Sequence, residues 1–155
     1  MEHQALDSID WKILTQLQED ARLSYTEIGR RVNLSSTAVA ERIRQMEDHG
    51  IIQGYRVALD YEQLGMPITA FINLTLQKDT VTPQAMKKFA LRFPEIQELY
   101  STIGTDCYLF KVTVRSISHL DELLTQLRHY GKTSTSIVLA PLIQGQVVEQ
   151  EDSSS

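Results

Sequence analysis

Apolar residues change their period midway along this chain, and that switch limits the fold more than any other feature. From residue 7 to 50 they recur every three or four positions, the spacing of one helix face. From 67 to 143, stretches that alternate at every second residue are interleaved with helical ones. A helical unit is therefore expected at 1–50, a strand and linker at 51–66, an α+β unit at 67–143 and a polar tail at 144–155.

In the first half, Ile9, Ile13, Leu14 and Leu17 form one stripe over about Ser8 to Glu19. A second helix opens at Ser24-Tyr25-Thr26-Glu27, where serine followed three residues later by glutamate is the capping-box pattern. Ile28 and Val32 form its inner face. After the short connection Asn33-Leu34-Ser35, a third helix is expected with Ser35 as N-cap, Val39, Ile43 and Met46 inward, and Gly50 as its stop. Two short helices joined by about three residues form a helix-turn-helix. Opposite Val39 lie Thr37, Glu41 and Arg44, with Ser36 and Ala40 on the flank. Small residues let a helix approach base edges, and a helix N-terminus offers donors to phosphate. Arg30 and Arg31 are placed to meet the sugar-phosphate backbone. Arg42 lies nearer the core side, so packing or an internal ion pair competes with DNA contact there. The plainer reading of this face is the exposed side of an ordinary three-helix unit.

Charge bears on that choice. The chain has a net charge of −5, which argues against nucleic-acid binding. Between Arg22 and Arg56, however, six arginines stand against four acids. A monomer with so small a local excess releases few counterions and grips DNA weakly. The active species is therefore expected to be an oligomer that adds several weak modules.

In the second half, Ile68, Ala70, Ile72, Leu74 and Leu76 alternate with polar or aromatic neighbours as a two-sided strand. Thr82-Pro83 opens a helix carrying Met86, Phe89, Ala90 and Phe93 on one face. Ile96 to Ile103 reads as the second strand, Gly104-Thr105-Asp106 as a turn, and Tyr108, Phe110, Val112 and Val114 as the third. Ser118 is expected to cap a helix with the stripe Leu120, Leu123, Leu124 and Leu127, stopped by Gly131. Thr135, Ile137 and Leu139 mark a fourth strand. The order β-α-β-β-α-β is the ferredoxin-like arrangement, a sheet with two helices on one face. Phe71, Leu109 and Val138 on the other face call for cover by a second subunit.

Several classes are disfavoured. With 42% apolar and 23% charged residues the chain is not of disordered composition. The longest apolar run, Ile137 to Ile143, is about seven residues, against ~20 for a membrane span. Met1-Glu2-His3-Gln4 has no signal-peptide character. The lone Cys107 rules out an internal disulfide and fits a reducing cytoplasm; it reads as a buried, unreactive residue. Histidines 3, 49, 119 and 129 show no metal spacing. No glycine-rich phosphate loop, Gly-x-Ser-x-Gly elbow or HExxH motif is present, so neither an enzyme nor a cofactor is expected.

The ordered fragments Leu6-Asp7-Ser8-Ile9-Asp10, Ala21-Arg22-Leu23-Ser24-Tyr25-Thr26-Glu27-Ile28, Val32-Asn33-Leu34-Ser35, Val39-Ala40-Glu41-Arg42-Ile43 and Gly50-Ile51-Ile52-Gln53-Gly54-Tyr55, then Gly104-Thr105-Asp106-Cys107-Tyr108 and Thr133 to Leu139, resemble the leucine-responsive/asparagine regulator (Lrp/AsnC) family of bacterial and archaeal transcription regulators. The resemblance spans nearly the whole chain. It implies an N-terminal helix-turn-helix domain, winged-helix-like, that binds double-stranded DNA, and a C-terminal ferredoxin-like sensing domain. It also implies homodimers that join into tetramers or octamers, and a small effector, commonly an amino acid. Many members carry Pro-Gly-Val and two further residues before the Thr-x-Thr strand. Here Tyr130-Gly131-Lys132 leads directly into Thr133, so effector identity and loop contacts do not carry over.

The expected DNA-binding residues are Arg30, Arg31, Ser35, Ser36, Thr37, Ala40, Glu41 and Arg44. Gly104-Thr105-Asp106 is either a plain hairpin turn or a ligand site. In a ligand site, glycine would let backbone amides approach a carboxylate, Asp106 would pair with an α-amino group, and Thr133 or Thr135 would supply hydroxyls. With Ile103 these are the expected effector-binding residues. The rival reading is a small-molecule-binding oligomer that regulates a metabolic enzyme through protein contacts. A ferredoxin-like enzyme is a third.

Overall fold

The computed structural model describes residues 6–77, 81–105 and 107–150; His3, Asp106 and serines 153–155 lie outside the described residues. The chain forms two compact units, Met1–Val57 with Ile143–Ser155, and Ala58–Leu142.

The first unit holds α1 (Ser8–Glu19), α2 (Tyr25–Val32) and α3 (Ser36–Asp48). Each starts where a side-chain oxygen meets orphan backbone donors. Asp7 accepts from the N–H groups of Ile9 and Asp10 at 2.8 Å, and Asp10 accepts from the Asp7 N–H at 3.0 Å. Ser24 and Ser35 accept from the Glu27 and Ala38 N–H groups at 3.1 Å. The expected capping box at Ser24 is only half formed, because the Glu27 carboxylate turns to Arg30 and Arg31 instead. At the end of α3 the N–H groups of Gly50 and Ile51 return to the carbonyls of Glu47 and Met46, both at 2.9 Å. That Schellman closure needs the left-handed backbone of Gly50, φ +71°.

Ile13, Ile28, Val32, Val39, Ile43 and Met46 make the core of this unit. Each such side chain contributes roughly 1.5–3 kcal/mol on burial, against at most about 1 for an exposed ion pair. Packing therefore holds the helices, and surface arginines remain available for other work. Between α2 and α3, Asn33 adopts φ +58° and Leu34 N–H donates to the Gly29 carbonyl at 2.9 Å. Gly29 is buried against that turn; a β-carbon there would lie 2.4 Å from the Leu34 carbonyl oxygen.

One expectation needs correction in this unit. No strand forms at 51–66 among the described residues. Tyr55, Val57 and Leu59 stand exposed, and strand structure requires a ladder partner that the chain does not supply here. Near the start of the polar tail, Val148 is held by α1. The Gln18 side-chain amide donates to the Val148 carbonyl and accepts from the Val148 N–H, both at 2.9 Å.

The second unit follows the expected order: β1 (Ile68–Leu76), α4 (Pro83–Ala90), β2 (Ile96–Ser101), β3 (Tyr108–Val114), α5 (Ile117–Leu127) and β4 (Gly131–Ile137). The sheet is antiparallel with order β2-β3-β1-β4. Ala70, Ile72 and Leu74 of β1 and Phe110, Val112 and Val114 of β3 are fully buried with Met86, Phe89 and Ala90 of α4 and Leu120, Leu123 and Leu127 of α5. On the opposite face Phe71, Leu109 and Val138 are half-buried.

Three boundaries differ from expectation here. β2 ends at Ser101, leaving Ile103 fully exposed. The cap of α5 is Ser116, which accepts from the His119 N–H at 3.1 Å, not Ser118. β4 begins at Gly131 and stops at Ile137, so Gly131 opens the strand instead of stopping a helix, and Leu139 is exposed. A β-carbon at Gly131 would lie 2.0 Å from the Thr75 carbonyl oxygen. The missing side chain therefore lets β4 close onto β1 from its first residue.

Candidate nucleic-acid interface and ligand turn

Helix α3 is gripped by one side. Val39, Ile43 and Met46 are buried, while Ser35, Ser36, Thr37, Glu41 and Arg44 are exposed and Ala40 is half-buried. The exposed strip thus starts at a helix N-terminus with three hydroxyl side chains and ends at a guanidinium. Arg44 is held by Glu41 at 2.7 Å, and Gln45 donates to the same carboxylate at 3.2 Å. Hydrogen bonds from Arg44 and Gln45 lower the Glu41 pKa, and Glu41 in turn raises that of Arg44.

At the end of α2, Glu27 takes Arg30 at 2.8 Å and Arg31 at 2.9 Å, and Arg31 also donates to the Gln16 side chain at 2.6 Å. Hydrogen bonds first from Arg30 and then from Arg31 hold the Glu27 carboxyl down to about 2. At neutral pH it is ionised, so Glu27, Arg30 and Arg31 together carry one net positive charge on an exposed surface.

Arg42 takes the internal role. Its guanidinium bridges Asp7 at 2.7 Å and Asp10 at 2.6 Å, tying α3 to the start of α1. Asp10, then Asp7, hold the guanidinium pKa above its ordinary value. The Asp10 N–H and then Arg42 lower that of Asp7. Sequence reasoning overlooked Gly29, whose missing side chain sets the approach of α2 to the turn. A glycine inside an otherwise regular helical pattern is the signal that could have found it.

In the second unit, the Thr102 N–H donates to the Cys107 carbonyl and the Cys107 N–H to the Leu74 carbonyl, both at 3.0 Å. Between them Gly104 takes φ +144° and Ile103 and Thr105 are exposed. Thr133 pairs with Leu74, and Leu74 with Tyr108; Thr135 pairs with Ile72, and Ile72 with Phe110. Both threonines are half-buried on β4. The turn and the threonines share one end of the sheet, but β1 lies between them. With strands ~4.8 Å apart, Thr133 stands about 10 Å from Tyr108, so one chain does not bring the two groups together.

A helix-turn-helix whose second helix keeps one face exposed, on the same chain as a ferredoxin-like sheet, has the make-up of a DNA-binding regulator. The AsnC-type helix-turn-helix domain matches residues 6–47, and the Lrp/AsnC ligand binding domain matches residues 69–148. The regulator LrpC of Bacillus subtilis is 31% identical over 88% of this chain and 94% of its own length. The leucine-responsive regulatory protein of Escherichia coli K12 is 35% identical over 90% and 88% respectively. Among solved structures, B. subtilis LrpC superposes with a TM-score of 0.84 over 90% of this chain and 99% of its own. A transcriptional regulator in complex with L-methionine from Neisseria meningitidis gives 0.84 at 28% identity, over 93% and 96%. The chain belongs to the Lrp/AsnC family of transcriptional regulators.

Among the described residues no helix is long and apolar enough to cross a membrane.

Proposed function

We propose that this regulator reads duplex DNA with the outer face of α3 and adjusts its grip to an amino acid bound in the second unit. Residues 1–50 act on DNA and 67–143 sense and assemble; the protein works in the cytoplasm, without catalysis or a membrane partner. The observation that carries the reading is the one-sided burial of α3, which leaves Ser35, Ser36, Thr37, Ala40, Glu41 and Arg44 facing outward. Ser35 and Ser36 meet phosphate, Thr37 and Arg44 reach bases, and Arg30 and Arg31 straddle the backbone. The Glu41 carboxylate keeps Arg44 extended until a base edge or phosphate replaces it.

Effector recognition uses the Ile103-Gly104-Thr105-Asp106 turn. Because β1 separates the turn from Thr133 and Thr135 of the same chain, a complete pocket requires a neighbouring copy to supply the threonines. Homodimers, joined into tetramers or octamers, meet that need. The half-buried Phe71, Leu109 and Val138 and the unpaired stretch around Tyr55, Val57 and Leu59 offer surfaces for the first pairing. An amino acid held between dimers favours one arrangement over another, which changes the spacing of the reading helices. Half-sites about one duplex turn (~34–36 Å) apart, or a multiple of it, follow for a two-fold dimer.

The test is a gel-shift titration at fixed salt on DNA from the protein's own promoter region. Arg44→Ala and Thr37→Ala are expected to weaken binding roughly five- to 150-fold, as loss of a base contact worth ~1–3 kcal/mol implies, with unchanged thermal melts. Unchanged affinity in both variants refutes the assignment to α3. For the effector, calorimetry with the twenty amino acids on wild type and Asp106→Ala decides; equal binding by both ends the role of the turn.

A further inference from the structure

Thr37, Glu41 and Arg44 lie opposite the buried Val39, Ile43 and Met46 on α3. At about 100° per residue the three outward side chains fall within roughly 60° of one another, so they form the middle of the exposed strip and not its flank. Two of them are joined. Arg44 Nη2 donates to Glu41 Oε2 at 2.7 Å, and Gln45 Nε2 donates to Oε1 of the same carboxylate at 3.2 Å. Both members of the pair stay open to solvent, the Arg44 side chain 67% exposed and that of Glu41 50%. The bond to Glu41 occupies one hydrogen of Nη2. Whichever hydrogen it is, one complete two-donor edge of the guanidinium remains, Nε with Nη2 or Nη1 with Nη2. Each Glu41 oxygen accepts one of these bonds and keeps a further lone pair.

The pair is electrically neutral, and that bears on its partner. Attraction to phosphate is Coulombic, so a carboxylate 2.7 Å from the guanidinium opposes a contact with the backbone. At the end of α2 the balance differs: two arginines share one acid, and a positive charge is left for phosphate. A base edge asks for donors and acceptors side by side. In the major groove a G·C pair presents guanine N7 and O6 as acceptors and cytosine N4 as a donor. Arg44 and Glu41 offer the complement, two donors with an acceptor beside them. Resting on α3 as the reading helix, we propose that Glu41 and Arg44 together read one G·C pair in each half-site, Arg44 donating to guanine N7 and O6 and Glu41 accepting from cytosine N4. The acid is then itself a contact with the base pair as well as a brace for the arginine.

Selection from a random duplex library by the full-length chain, followed by titration of the enriched site, tests this. Wild type is expected to enrich a site with one such G·C pair in each half, and changing that pair to A·T to weaken binding about five- to 150-fold. 7-Deazaguanine, which lacks N7, is expected to weaken it about fivefold or more, whereas inosine, which lacks only the minor-groove amino group, leaves it unchanged. Arg44→Gln and Glu41→Gln are each expected to lower the preference for G·C over A·T at that position, and at no other, by about threefold or more. Glu41→Gln is also expected to bind non-specific duplex more tightly, since a charge repelled by phosphate is gone. An enriched site that tolerates 7-deazaguanine at every position, or whose G·C preference is unaltered in both variants, overturns the proposal while leaving α3 as the reader. A preference lost in Arg44→Gln but kept in Glu41→Gln overturns the shared readout. Enrichment of no sequence at all overturns the assignment of α3 and this proposal with it. The base analogues use wild-type protein, so they decide even where a variant fails to fold.

Discussion

Gly29→Ala sets two effects of opposite sign against each other. In an open helix interior, alanine is favoured over glycine by about 1 kcal/mol, because glycine loses more backbone entropy on ordering. At position 29 the new β-carbon would stand 2.4 Å from the Leu34 carbonyl oxygen, with the Leu34 carbonyl carbon at 3.4 Å and the Ser35 carbonyl carbon at 3.5 Å. Only the first of these is a clash, and it falls on backbone, which cannot rotate aside as a side-chain tip can. The turn must lift. Overpacking of this kind costs ~1–3 kcal/mol, which matches or exceeds the propensity gain, so the variant is expected to lose stability despite its better helix former. In a unit this small each kcal/mol lowers Tm by roughly 4–8 °C. Far-UV circular dichroism melts of the full chain measure the loss. Because Leu34 and Ser35 lead into α3, a gel shift below the melting range should also record weaker DNA binding. A variant that melts at or above wild type, with unaltered binding, refutes the argument that the turn leaves no room for a β-carbon.

Two further predictions concern charge. Glu27 has its pKa lowered from 4.5 to about 2 in the fold, so its contribution to stability is present above 4.5 and lost as pH falls through about 2. The Tm difference between wild type and Glu27→Gln should therefore be flat from pH 7 to about 5 and shrink as pH falls from about 4.5 to 2; a difference constant down to pH 2 contradicts the pairing with Arg30 and Arg31. Arg42→Met should lower the denaturation midpoint by freeing α3 from Asp7 and Asp10, while DNA affinity of the folded protein stays at wild type. A loss of affinity without a loss of stability would make Arg42 a DNA contact.

The sequence was most legible where a single local rule decided the outcome. Alternation fixed β1 at Ile68–Leu76 to the residue, and Thr82-Pro83 opened α4 with threonine as cap and proline in the first turn. It was less legible where two residues of the same type competed, as Ser116 and Ser118 did for the start of α5. Gly131 misled because glycine serves equally as a helix stop and as a gap for a close backbone, and only the distance to Thr75 distinguishes them. The strand expected after Ile51 failed for a different reason: alternation gives a segment its preference, but a ladder needs a second edge. At the reading helix, spacing alone separated Arg44 from Arg42. The carboxylates that hold Arg44, Arg30 and Arg31 were not foreseen, since rotamers at a surface leave no periodic trace.

The Gln18 amide binds both backbone groups of Val148, so the polypeptide leaves the three-helix unit after Val57 and comes back to it at Ile143. The sensing fold is inserted into the reading fold, not appended to it. Two covalent connections, after Val57 and before Ile143, join the two folds. Trimming or fusing the chain near residue 150 should consequently disturb the half of the molecule that touches DNA, although in sequence it is the sensing half that stands nearer.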